Sequence, residues 1–437
     1  MAGLAPLGQT YNVRNDRRGA ALMARIASSE DSTVDPQPPA RRARWSITLR
    51  GLIVLVLVVG GGLGWAAHRI KAQREAVAAI LKAEGRVFYD YQMSGRHAVA
   101  SRPPTTPAWL VKAFGIDAFS NVVYVGVVGP GADDSLMAQI GRLSRLRHLG
   151  LNSGTMTDVG ALEIGKLAEL EELDLGFCRV TGGALRNLAG MSRLARLDFN
   201  SLSMIDLDLA PLAGLSSLEQ LQLTDRGPGD AGVFHLKGLT RLKHLTLFGQ
   251  GVTSAGLEHL KGLTALESLN LNGSRVSSLG PLAGLTGLKG LDLPGAPIDD
   301  AGFAPVAGFR GMKTLSLEKT KITDRGVSYL DGLNAITHLD LGGTRITGKA
   351  TRYLGPMVLM QNLRLGGTQV DDDSLVHLNG MKQLVLLWLN DTKVTDAGLA
   401  ELTGINACIQ IDLRNTAVTD AGVSALKARF PRMAVIR

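Results

Sequence analysis

LVLLWLNDTKVTDAGLAELTGINA, residues 384–407, contains in one pass an extended segment, a turn and a short helix. Leu387 and Leu389 face one side of the extended segment while Trp388 and Asn390 face the other, because side chains alternate along a strand. Thr392 stands five places after Leu387, at a turn where a group that both donates and accepts can satisfy the backbone. Val394 points back into the core. Thr395-Asp396 then offers a capping oxygen and a negative charge to a helix start. Leu399, Leu402 and Ile405 follow at three-residue spacing as one buried stripe, and Gly404 marks the exit. Cys408 holds the next core position as a small hydrophobe.

The same unit repeats outward in steps of 24 residues. Paired apolar positions run from Val125/Val127 and Leu149/Leu151 to Leu269/Leu271, take one 22-residue step, and resume from Leu291/Leu293 to Ile411/Leu413 and Val435. That makes fourteen strands in one phase. Threonine recurs at the turn as Thr320, Thr344, Thr368, Thr392 and Thr416, with Cys178 in an early unit, and Thr-Asp recurs at 157–158, 323–324 and 419–420. A single unit cannot bury both sides of its leucine layer, so stability must come from stacking.

This pattern resembles the leucine-rich repeat family over residues 121–437. The expected class is therefore α/β, a solenoid with a parallel concave sheet and short convex helices. The resemblance implies no catalysis and no cofactor, and a protein partner held on the concave face. Within that face Trp388 has the character of an interface anchor, with Leu386 on its own strand and Arg364 and Asp412 on the strands to either side. Asp340 shares an acidic row with Asp174, Asp198, Asp292 and Asp412, and Phe248 with His244 forms a second candidate.

Upstream, four segments are expected: a disordered basic tail at 1–44, a transmembrane helix at 45–67, a helix plus capping segment at 68–120, and the solenoid at 121–437. Gly51 to Ala67 is uncharged, roughly 25 Å as a helix and at the short end of a bilayer span. Arg41, Arg42, Arg44 and Arg50 precede it, Arg69, Lys71 and Arg74 follow, and Trp45 and Trp65 are spaced to mark the two interfaces. Gly85 reads as the stop of the following helix, and residues 86–120 as a cap over the first repeat's core. This arrangement resembles bacterial membrane-anchored leucine-rich repeat proteins and implies a single-pass scaffold or recognition protein with the solenoid on the non-cytoplasmic side. The alternative, an intracellular substrate-receptor adaptor of a ubiquitin ligase, lacks the helical module that would precede its array.

Other chemistries find little support. Residues 1–85 hold 12 Lys+Arg against 6 Asp+Glu, a net +6 out of the chain's +8, so the basicity belongs to the membrane flank and not to a nucleic-acid surface. Gly343 to Ala350 approximates a phosphate-binding loop, but Ala350 stands where a magnesium-binding hydroxyl is required. The histidines read as dispersed surface residues, none at metal-ligand spacing, and no small-molecule substrate is implied.

Overall fold

The computed structural model describes residues 49–437 apart from 96, 153, 200–205 and 225–226, and only the backbone of 51 and 206–208. The expected tail at 1–44 and Trp45 lie outside the described residues. Two compact units divide at Gly62/Leu63. The described part of the first is helical, and Leu52 to Val59 are each at least 47% exposed. The helix runs Leu49–Lys82, and its portion Leu52–Lys82 is long and apolar enough to cross a membrane.

In the second unit the end of that helix closes the solenoid. Ala76 and Ile80 are fully buried beside Val122, Val125 and Val127. The left-handed residue ending the helix is Glu84 (φ 58°), not Gly85. Gly85 is needed for a different reason: a Cβ there would come within 2.7 Å of Ile80 Cγ2 and 2.8 Å of Val127 Cγ2. Strand Arg86–Tyr89 then pairs antiparallel with Val122–Val128.

From Val122 onward the strands are parallel, in a sheet of fifteen among the described residues. Register is strict: Leu315 faces Leu339, which faces Leu363, which faces Leu387. Inward-facing strand leucines are at most 2% exposed along the array, with Val, Ile and Met filling the convex side of the same layer. Burying each leucine contributes roughly 1.5 to 3 kcal/mol.

Two hydrogen-bond series hold the turns. The hydroxyls of Thr320, Thr344, Thr368, Thr392 and Thr416 each donate to the carbonyl of the strand leucine three residues earlier, at 2.6–2.7 Å. Cys178 Sγ makes a longer contact, 3.4 Å, with the Leu151 carbonyl of the preceding unit. Just before this position the backbone of nine described turns passes through the left-handed region, where glycine serves at 249, 273, 295, 343 and 367 and Phe177, Lys319, Asp391 and Asn415 take its place. Phe177 is 62% exposed there, a bulky residue in a region L side chains rarely adopt.

The second series corrects the reading of Thr-Asp. The threonine caps its own helix, as Thr395 does by accepting from Ala397 N–H. The aspartate reaches instead into the next repeat. Asp324 accepts from Thr347 N–H at 2.7 Å and from its hydroxyl at 2.6 Å, and Asp134, Asp158, Asp230, Asp300, Asp372 and Asp396 do the same. The glycine of Thr-Asp-Ala-Gly leaves room for this carboxylate: a Cβ on Gly398 would meet Asp372 Oδ1 at 2.4 Å. The loop at Gly343–Ala350 belongs to the same scheme, with Thr347 capping Lys349 N–H and held by Asp324.

Within the segment 86–120 the elements differ in burial. Helix Ala108–Phe114, starting at Ala108 with Pro107 before it, buries none of its residues. The first repeat is covered by the long helix and strand Arg86–Tyr89.

Candidate functional site

On the concave face, outward strand positions line up across repeats. Arg364, Trp388 and Asp412 are register partners on consecutive strands. The Arg364 guanidinium lies 4.6 Å from the centroid of the Trp388 ring and reaches Asp340 Oδ2 at 3.3 Å. Trp388 is thus half-buried under a cation held from below by a carboxylate, an arrangement in which ring and charge fix each other's orientation. Glu318, Lys319 and Asp391 complete the walls of a hollow of about 470 Å³ above them.

Asp412 is wholly buried and bound by Arg414 through Nε (3.0 Å) and Nη2 (2.5 Å). These hydrogen bonds hold its carboxyl below the ordinary range. It supports the site's floor and presents no free charge. Phe248 and His244 are six strands away from Trp388, roughly 29 Å at about 4.8 Å per strand, so the two candidate sets do not form one site.

The acidic row also has a local task. Asp174 accepts from Gly176 N–H and Asp340 from Gly342 N–H, both at 2.9 Å, which ties each strand end to its turn. Burial raises the carboxyl pKa of Asp174, Asp292 and Asp340 above the usual value. The largest effect falls on Asp198, pushed up to about 6 by burial and then by the neighbouring charge of Asp174, against the pull of Arg196. Asp198 Oδ1 is buried with no hydrogen-bond partner among the described residues. A raised carboxyl pKa means that ionisation costs the folded state, so stability contributed here grows as pH falls through about 6 toward the ordinary aspartate range. Asp198→Asn is expected to stabilise the protein at pH 7, with the advantage shrinking by pH 5. Urea unfolding at both pH values checks this, and an equal effect at the two would refute it.

His148, expected at the surface, is buried, with Nδ1 3.1 Å from Glu172 Oε2. Its strand position faces the crowded N-terminal end, where Tyr124 packs against it. His244 and His338 are exposed as expected. Among the described residues no group of three or more His, Cys, Asp or Glu side chains is placed to hold a metal.

Sequence reading missed an apolar edge beside Trp388. Two residues before the first strand leucine, most earlier repeats carry a charge, Ala195 and Thr337 excepted, and several of these charges pair along the array: Arg147–Glu171 (3.8 Å), Lys243–Glu219 (3.1 Å) and Lys289–Glu267 (2.8 Å). In the last repeats that position becomes Gln361, then Val385, then Ile409, and the last is 54% exposed. Ile409 N–H bonds to the Val385 carbonyl, and Val385 N–H to that of Gln361, so these residues are stacked neighbours. Val358 (51% exposed) and Leu359 (40%) lie just upstream, and half-buried Leu386 joins the edge to Trp388. The signal was the loss of charge at one repeat position, visible only once the strands are aligned.

No protein-family model matches the sequence, and no curated protein matches it. Solved structures do. An internalin from Listeria monocytogenes superposes with a TM-score of 0.59 at 25% identity, covering 72% of this chain and 86% of that one. An internalin C2 of the same species is 28% identical over 46% of this chain and 82% of its own, with a TM-score of 0.38. A leucine-rich repeat protein of Leptospira interrogans is 15% identical over 83% and 98%, with a TM-score of 0.47. The parallel sheet, its strand register and the internalin likeness agree with the repeat pattern, and the chain is a leucine-rich repeat protein.

Proposed function

We propose that this is a membrane-anchored recognition protein that binds a protein partner at the C-terminal part of its concave face. The observation carrying the proposal is the Arg364–Trp388 stack, 4.6 Å apart and held by Asp340, set next to an apolar edge at a position that is charged in most earlier repeats. Ring, guanidinium and aliphatic edge together supply the residue types that dominate interface energetics. Leucine-rich repeat architecture supports the reading, because a long row of outward strand positions offers a partner a broad, pre-formed surface. The exposed apolar segment from Leu52 supports the anchor.

Affinity capture with wild type, Trp388→Ala and Phe248→Ala in parallel tests the site. Trp388→Ala is expected to lose at least tenfold in affinity for the captured partner, about 1.4 kcal/mol or more, and Phe248→Ala to bind as wild type. Equal capture by all three would place the partner elsewhere.

A further inference from the structure

Helix Ala108–Phe114, AWLVKAF, carries a tryptophan, a phenylalanine, a leucine and a valine, yet no residue in it is buried. Trp109 is 68% exposed and Phe114 57%, and Phe119, whose ring stands edge-on to Phe114 at 6.3 Å, is 41% exposed. Exposed aromatics grouped in this way are uncommon on a surface that faces only water. They are also held firmly. Gln73 Nε2 donates to Asp117 Oδ1 (3.0 Å) and to the Ser120 carbonyl (2.9 Å), while its Oε1 accepts from Val122 N–H (3.2 Å). Arg74 donates to the Phe114 carbonyl and lies 3.7 Å from Asp117, which also accepts from the Tyr89 hydroxyl at 3.0 Å.

This clamp fixes the aromatic group at a defined height on the long helix. Gln73 and Arg74 come six and seven residues after Ala67, about 9–10 Å of helix. Trp65 is 66% exposed with the Arg69 guanidinium 5.6 Å from its ring, a pair suited to the headgroup boundary. Amphipathic elements settle roughly 5–10 Å into that boundary, and spans tilt by about 20° on average, which lowers one flank of such a collar. Exposed Lys71 and Lys112 match the charge of an anionic headgroup layer.

We infer that the collar formed by Trp109, Phe114 and Phe119 docks on the surface of a bilayer containing anionic lipid. The inference rests on the proposed span and is tested apart from it. Full-length protein is reconstituted in phosphatidylcholine–phosphatidylglycerol vesicles with a lipid-borne quencher. An environment-sensitive dye is attached at Leu55→Cys in the span, at Ala113→Cys in the collar, or at Val159→Cys on the exposed solenoid surface. The native thiols are buried, and burial pushes Cys408 up to about 11, so the introduced cysteine labels selectively at neutral pH. Strong quenching is expected at 55 and 113 and none at 159, with the loss at 113 falling by half or more when Trp109 and Phe114 are both changed to Ser. Quenching at 55 with none at 113 overturns the docking and keeps the span. No quenching at 55 overturns the span and the docking with it.

Discussion

Leu341→Arg is expected to unfold the solenoid around its repeat, lowering stability by about 4–5 kcal/mol or more. Leu341 is fully buried, and its layer is shared with Leu317 and Leu365 on the adjoining repeats. The substitution removes roughly 1.5 to 3 kcal/mol of burial and places a guanidinium where no carboxylate can meet it. Because each repeat is stable only through its neighbours, the damage spreads to both sides. Circular dichroism during urea unfolding should show a much lower midpoint, whereas Val159→Arg, at a position 66% exposed, should leave it unchanged. Equal midpoints for Leu341→Arg and wild type would mean that the inward phase has been assigned to the wrong strand face.

The second large effect is expected at the inter-repeat carboxylates. Asp324→Ala removes both bonds to Thr347, and hydrogen bonds to charged groups contribute about 1.5–3 kcal/mol each. Asp324 is only half-buried, so solvent screening reduces the sum, and a loss of about 2–4 kcal/mol is expected. A double-mutant cycle with Thr347→Ala isolates the contact, since Thr347 also caps Lys349 N–H. Strictly additive losses in the cycle would show that the carboxylate and the threonine do not act as a pair.

The core was legible because it depends on one periodicity. Leucine alternation sets the strand face, and a 24-residue step sets the layer, so Leu387 and Leu389 could be placed without coordinates. The aspartates were misread because their partners are 23 residues away, and local rules assign a carboxylate in a first helical turn to its own helix. Trp388 stood out as an aromatic at an outward position, and Arg364 and Asp412 were correctly placed beside it. Their division of labour was not readable, since Arg414, two residues beyond Asp412, takes its charge entirely. The exposure of Trp109 and Phe114 was not readable either, since apolar side chains in a short helix ordinarily signal burial, and the helix that carries them buries none of its residues.

The series of Asp–Thr brackets has gaps, and these matter if the array is pulled. A chain tethered at its first helix and gripped near Trp388 carries tension along the stacking axis, straight through the contacts between successive layers. Where Asp is replaced by Gly348, that position has no carboxylate to reach the next repeat; there the Thr351 hydroxyl donates to the Ser374 carbonyl at 3.0 Å, beside the backbone bond from Gln369 N–H to the Ile346 carbonyl. Such layers are the weakest links in a series of springs. Under load the solenoid should part at these seams and lengthen stepwise while its bracketed blocks stay folded.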